Sequence, residues 1–286
     1  MRNAHRRYGQ PEKRRAAGPG RRPLLAVAAV GALLVAVVAV LLLVSTRGPA
    51  PARPVARRAA PASLVQAVTH LPVTELARVG RGAVAHAPTA APGPTLRIGG
   101  KPEVFYVGAE YCPYCAFERW SLVIALSRFG SFSHLGLIHS AVRDGHVATF
   151  TFYGSQYRSP YLAFVPKELY TSVPAGSYYR PLQHLNAAQS AIFARLDSGQ
   201  SFPFVDFGNR QALVGIPTVT SNGPAVLQGL DWNAIAAALR RPASPQAQGI
   251  IGTANLITAN VCALTGQQPA SVCQAPFIRA LEPKRG

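Results

Sequence analysis

Two of the four cysteines in the chain stand three positions apart, in A-E-Y-C-P-Y-C-A-F-E-R-W, Ala109 to Trp120. Three chemistries suit Cys112 and Cys115 at this spacing. They can cycle between dithiol and disulfide as a two-electron couple. They can supply half of a four-ligand zinc site. They can also close for good as a crosslink in an oxidising compartment. Zinc lacks partners of the usual spacing. The other pair, Cys262 and Cys273, has ten residues between its members, and the seven histidines form no closely spaced pair beside them. His134 and His139 straddle the start of an expected strand. The redox couple and the permanent crosslink both stay open at this point.

The elements around the dithiol bear on that choice. P-E-V-F-Y-V-G-A, Pro102 to Ala109, is apolar, β-branched and aromatic, the signature of a buried strand. A-F-E-R-W-S-L-V-I-A-L-S-R-F comes after the dithiol, with apolar residues at Phe117, Trp120, Ile124 and Leu126, and Gly130 closes it. That spacing predicts a helix of about four turns. Cys112 then stands where strand turns into helix, and Pro113 takes the first helical position, where its missing N–H is harmless. Free backbone N–H groups and the helix dipole favour a thiolate on Cys112. Cys115, one turn inward, is placed to resolve a mixed disulfide at Cys112.

The compartment is indicated by the N-terminal part. The chain has 286 residues and a formal net charge of +18, unevenly spread. Residues 1–22 carry eight Arg and Lys against Glu12 alone, and Arg47, Arg53, Arg57 and Arg58 add four more. Setting these aside leaves 17 of the 29 basic and 10 of the 11 acidic residues, so the remainder is only moderately basic. Between the clusters, Leu24 to Val44 contains no charged or polar side chain. At about 1.5 Å per residue it reaches across the roughly 30 Å hydrocarbon core. It is longer than the apolar region of a cleaved signal, and the A-x-A at Ala50-Pro51-Ala52 is displaced from it, so an uncleaved signal anchor is expected. The dense basic cluster before the span should stay cytoplasmic. The expected location is therefore the cell membrane, single-pass, with the C-terminal part extracytoplasmic. Topology and anionic lipid account for the basic head. No motif supports nucleic-acid binding.

The expected organisation has five parts. A basic cytoplasmic tail covers 1–23, and the transmembrane segment 24–44. A Pro/Ala-rich stalk with a short helical segment covers 45–100. Pro72 there separates Leu64, Val65, Val68 and Leu71 from the run that starts at Val73, which predicts two short helical turns. A globular α/β domain covers 101–241. Its expected strands are 135–142, one at T-F-T-F-Y, and 202–207, with a helix over 181–196. A hairpin across Leu213–Leu230 turns on Asn222-Gly223, and Asp231 caps the next helix. A helical extension, 242–286, carries a helix over 247–264. In it, Gly266 and Pro269 form a turn that brings Cys262 and Cys273 together as a structural disulfide.

The stretch G-A-E-Y-C-P-Y-C resembles the active-site turn of the thioredoxin superfamily, and its Pro-Tyr dipeptide is similar to that of glutaredoxins. G-I-P-T-V, Gly215 to Val219, resembles the cis-proline loop of that superfamily, which implies that Pro217 is cis and that Ile216 offers backbone groups to a substrate peptide. Several longer stretches resemble one thioredoxin-like domain-of-unknown-function family, nine-two-nine in words. They are G-K-P-E-V-F-Y-V-G-A-E-Y-C-P-Y-C-A-F-E-R-W, T-F-Y-G-S-Q-Y-R-S-P-Y-L, F-P-F-V-D-F-G-N and A-N-L-I-T-A-N-V-C-A-L-T-G. That likeness spans Val65 to Cys273. Together these imply a thioredoxin-like fold with an insertion and a C-terminal helical extension, preceded by one N-terminal transmembrane helix. Thioredoxins keep a buried acid six residues before the first cysteine. Tyr106 stands there instead, with Glu110 expected at the rim and Glu118 on the helix as a stand-in.

The expected activity is that of a membrane-anchored thiol–disulfide oxidoreductase. Cys112 attacks, Cys115 resolves and Pro217 sits in the substrate loop. No cofactor or metal is expected. The expected partners are exported cysteine-containing proteins and a membrane redox protein that resets the pair. The alternative is a non-catalytic binding or assembly module of the same fold with a fixed Cys112–Cys115 disulfide. A third reading is handling of a soft metal or of haem-attachment thiols.

Overall fold

The computed structural model describes residues 57–283. The expected cytoplasmic tail, membrane span and first part of the stalk lie outside the described residues. From there the chain runs β1 (Arg58–Ala59), α1 (Ala62–Thr69), α2 (Val73–Val79), β2 (Thr89–Ala90), β3 (Arg97–Ile98), β4 (Lys101–Gly108) and α3 (Pro113–Leu126). Next come β5 (Ser131–Ser133), β6 (Gly136–His139), β7 (Ala148–Thr151), β8 (Gln156–Arg158), β9 (Ala163–Glu168), β10 (Tyr170–Ala175) and β11 (Tyr178–Pro181). The rest is α4 (Ala187–Leu196), β12 (Phe204–Phe207), β13 (Gln211–Val214), α5 (Trp232–Leu239), α6 (Pro245–Leu264), α7 (Ala270–Cys273) and α8 (Pro276–Arg279).

The main sheet is mixed, which fits an α/β chain. Strand β4 pairs in parallel with β9 and antiparallel with β12, β12 pairs antiparallel with β13, and β2 and β3 add short antiparallel edges. The crossover from β4 to β9 contains α3, as a parallel pairing requires. Val104 to Gly108 are all buried, so β4 is central and covered on both faces. A second sheet, β1-β6-β7, is antiparallel throughout.

Helix α3 is buried from Cys115 to Leu126. Helix α6 packs against it, buried almost continuously from Ala247 to Cys262. Among the described residues α6 is the one helix long and apolar enough to cross a membrane, but most of it is enclosed by protein. The expected C-terminal extension is thus the second wall of the core. The end of the expected stalk also joins that core. Pro72 starts α2, as its break in the pattern implies, and Leu64, Val68, Leu71, Leu76 and Val79 are buried in the main cluster. Asn255 of α6 donates to the carbonyls of Leu76 and Gly80 at 2.9 and 2.8 Å, closing the C-terminal end of α2.

The expected hairpin on Asn222-Gly223 is not formed. The hairpin lies one loop earlier, between β12 and β13, with Phe207 opposite Gln211. Gly208 and Asn209 both hold positive φ there, 62° and 60°, and the Asp206 carboxylate accepts from the Asn209 N–H at 2.9 Å. After Asn222-Gly223 comes Pro224, which has no N–H for a ladder, and the chain takes two 3₁₀ turns instead. The expected helix 181–196 begins only at Ala187, where Asn186 and Gln189 form a capping box. Asp231 caps α5 as expected.

Candidate functional site

Cys112 is the N-cap residue of α3, in extended conformation, with Pro113 at the first helical position. Its sulfur accepts from the Cys115 backbone N–H at 3.2 Å. The orphan donors of a helix start are therefore aimed at this sulfur. Cys112 is 5% exposed, whereas Cys115 is fully enclosed. The two thiols differ in acidity. A hydrogen bond from the Cys115 thiol is the largest influence on Cys112 and draws it below the ordinary thiol range. Burial opposes this, and the N–H groups of Cys115 and Tyr114 and the Arg119 guanidinium assist. Burial pushes the Cys115 thiol well up, and its contact with Cys112 adds to that. One sulfur is thus the easier to ionise and the other the harder.

A buried ion pair lies under the dithiol. Arg119 of α3 donates Nε and Nη2 to the Glu168 carboxylate at 2.8 and 2.7 Å, and Nη2 also to the Ala109 carbonyl at 2.7 Å. Both side chains are fully enclosed. The pair joins α3, the turn before it and the end of β9. Such a fork-to-fork contact fixes direction as well as distance.

Tyr106, standing where an acid would be in thioredoxins, is fully buried, and its hydroxyl has no partner. Burial pushes its pKa well above the ordinary phenol value, so it stays protonated. Its ring end fills the space over Gly108, where a Cβ would come within 2.0 Å of the hydroxyl oxygen. That contact explains the glycine of G-A-E-Y-C. Glu118 is also fully buried with both oxygens unpartnered, and burial pushes its pKa to about 8.

Glu110 is not at a rim. It is 2% exposed and clasped by Arg57, whose Nε and Nη2 donate to Oε1 and Oε2 at 2.9 and 3.1 Å. Thr151 of β7 donates to Oε1 at 2.7 Å, and the Glu110 N–H donates to the Tyr170 carbonyl at 2.8 Å. The Arg57 guanidinium stands 4.3 Å from the centre of the Tyr153 ring.

Pro217 departs from expectation. The cis peptide bonds among the described residues precede Pro203 and Pro269, so the Ile216–Pro217 bond is trans. The Pro217 carbonyl accepts from the N–H groups of Ala85 and His86, which holds that loop to the segment before β2. The cis bond beside the dithiol is Phe202–Pro203, and the Cys112 sulfur lies 3.9 Å from the Phe202 carbonyl oxygen. In the sequence Pro203 stands at the start of the apolar strand F-P-F-V-D-F. The loop around Pro217 still borders the site. Gly215, Ile216 and Thr218 line a cleft of about 620 Å³ with Pro113, Tyr114 and Phe202.

The hairpin β10–β11 stands on the other side. The hydroxyls of Tyr178 and Tyr111 meet at 2.6 Å, and the Tyr179 ring stacks on Tyr111 at 4.1 Å. Arg143 lies over the Tyr179 ring and donates to its hydroxyl, which donates in turn to Asp144. The aromatic insertion therefore packs directly on the residue before Cys112. Arg57, Arg119, Glu168 and Asp206 carry no local sequence signal for a place at this site. Asp206, largely buried at the β12–β13 turn, has its pKa pushed up to about 7, chiefly by burial.

Cys262 and Cys273 are joined as a disulfide, with an S–S distance of 2.01 Å. Neither sulfur is available to complete a metal site with Cys112 and Cys115. No curated protein and no solved structure matches the chain. The family match is narrower than the expected Val65–Cys273. Residues 93–194, which carry Cys112, Cys115, Arg119 and Glu168, match the family described as Domain of unknown function (DUF929).

Proposed function

We propose that this chain is a membrane-anchored thiol–disulfide oxidoreductase, with a thioredoxin-like domain outside the cytoplasm acting on exported cysteine-containing proteins. The observation that carries the reading is the placement of the dithiol: the Cys112 sulfur caps α3 and accepts from the Cys115 N–H, while Cys115 is fully enclosed. Cys112 is drawn toward the thiolate, while Cys115 is held protonated. The strand order β9-β4-β12-β13, with only β9 parallel to β4 and the dithiol directly after β4, supports a thioredoxin-like arrangement. So does the Phe202–Pro203 loop that enters β12 beside Cys112. The membrane assignment rests on Leu24 to Val44 and the basic residues before it.

In the reducing direction the Cys112 thiolate attacks one sulfur of a substrate disulfide. An S–S bond forms between Cys112 and that sulfur, and the substrate's other sulfur leaves as a thiolate. Cys115 then passes its proton to the released substrate thiolate and attacks Cys112, the second substrate sulfur leaves as a thiolate, and Cys112–Cys115 remains as a disulfide. Two electrons pass to the substrate. The oxidising direction is the reverse, and a membrane dithiol or disulfide partner restores the starting state. The cleft beside Pro113, Tyr114 and Ile216 is where the substrate chain lies in this reading.

The low exposure of Cys112 favours one alternative, a binding module whose dithiol is permanently closed. Replacing Cys115 with serine in cells separates the two. A catalyst accumulates mixed disulfides through Cys112 that disappear on reduction. If C115S yields no adduct and Cys112 is unreactive toward alkylating agents after mild reduction, the oxidoreductase reading fails.

A further inference from the structure

We propose that Arg57 is a positioning residue for the Cys112 thiolate, supplied by a strand outside the DUF929 span. The inference rests on the oxidoreductase reading of the dithiol. Arg57 precedes β1, whose two residues pair with β6 at Arg58–Leu137 and Ala59–Gly136, and Ala60 N–H donates to the Leu135 carbonyl at 2.8 Å. This short strand delivers the guanidinium to Glu110, the second residue before Cys112.

The geometry is that of a built contact. The two side chains are 12% and 3% exposed, the ion pair is bidentate, and Thr151 takes a further site on the carboxylate. Glu110 lies in the turn that ends β4 and starts α3, and its backbone N–H is tied to Tyr170. Two residues along a chain separate Cα atoms by no more than about 7 Å. Both residues belong to one enclosed turn, and a carboxylate left uncompensated there, away from water, opposes a second negative charge on Cys112. Arg57 cancels the Glu110 charge and fixes the turn at the same time. The matched family span, 93–194, contains the acid but not this partner.

The test uses the full chain and three variants: R57M, E110Q and the double R57M/E110Q. The readout is the pH midpoint of Cys112 alkylation by iodoacetamide, measured with melting temperature. R57M should raise the midpoint by about one pH unit, which is a tenfold loss of thiolate below it. E110Q should not raise it, and the double variant should return it to within about 0.3 unit of the parent. R57K should recover part of the R57M shift, and it serves as the single-site variant if R57M does not fold. If R57M lowers the melting temperature but leaves the midpoint where it was, the residue is structural only and the inference is wrong. If the double variant is shifted as far as R57M, charge compensation is wrong. A chain whose Cys112 does not alkylate at all in the parent refutes the oxidoreductase reading instead.

Discussion

The Arg119–Glu168 pair should be costly to break from one side and replaceable as a unit. Replacing Arg119 with methionine leaves an enclosed carboxylate with no counter-charge and deprives the Ala109 carbonyl of a 2.7 Å donor. Breaking a buried pair from one side costs about 3–5 kcal/mol. In a domain of this size that lowers the melting temperature by roughly 6–20 °C, at about 2–4 °C per kcal/mol. R119M/E168M removes both charges and should recover most of the loss, because desolvating two ions roughly offsets their attraction. E168Q keeps an acceptor for Arg119 but not the charge, and should fall between the parent and R119M. Arg119 also favours the thiolate on both cysteines, so the double variant should recover stability without recovering Cys112 acidity. Urea unfolding at pH 7 and thiolate absorbance near 240 nm measure the two effects separately. Because the pair is enclosed, neither should change much with salt. Destabilisation in R119M/E168M equal to the sum of the R119M and E168M losses would mean that the contact carries no coupling, and the reasoning would be refuted.

Glu118 makes stability depend on pH in a defined window. Its pKa is about 8 in the fold against an ordinary 4.5, so its contribution is complete below 4.5 and is lost as pH climbs through 8. Unfolding free energy should fall by up to about 1.4 kcal/mol per pH unit in that window for the parent and not for E118M, so parallel pH curves would exclude the assignment. G108A should cost about 1–3 kcal/mol by forcing the Tyr106 ring to move. Y106F should be neutral or stabilising, since it removes an unpartnered hydroxyl, and should soften the G108A loss. Urea midpoints check both, and a harmless G108A would contradict the packing described. Replacing Cys262 and Cys273 with alanine opens a loop of eleven-residue separation, which should cost about 2–3 kcal/mol in the chain-entropy picture. Thermal unfolding of C262A/C273A that matched the parent would place the stabilisation elsewhere.

Local signals in the sequence located much of the site, and long-range pairings did not show. The apolar run before Cys112 and the 3.6-residue spacing after it sufficed to place β4 and α3, because each is set by neighbours along the chain. Asp231 and Pro72 marked helix starts for the same reason. Arg119 and Glu168 are 49 positions apart, and Arg57 and Glu110 are 53 apart. No periodicity announces such a pair, so Glu110 was expected at the rim although it is enclosed. The hairpin was misplaced because Asn222-Gly223 is the stronger turn signal in isolation. Pro224 after it and Asp206 before Gly208-Asn209 decide the outcome. Pro217 carries the short x-P-T pattern, whereas the proline next to Cys112 in space, Pro203, stands at the head of an apolar strand and carries no such pattern. The end of the expected stalk was hidden by its Ala and Pro content, although Leu64, Val68 and Leu76 already had the spacing of buried helices.

Helix α6 carries a consequence for how such a chain would reach its compartment. If the domain is exported as proposed, twenty residues of this hydropathy resemble a membrane span to a translocation channel that meets them before folding. Asn255, Thr258 and Asn260 interrupt the apolar surface midway. In the folded domain Asn255 binds the end of α2, while Thr258 and Asn260 turn back to carbonyls of their own helix at 2.7 and 2.9 Å. Under the export proposed above, the same polar side chains make lateral release into lipid unfavourable. Replacing Asn255 and Asn260 with leucine should therefore increase retention of the segment as a stop-transfer sequence in a glycosylation-mapping fusion. An unchanged topology in that fusion would assign the two asparagines to packing alone.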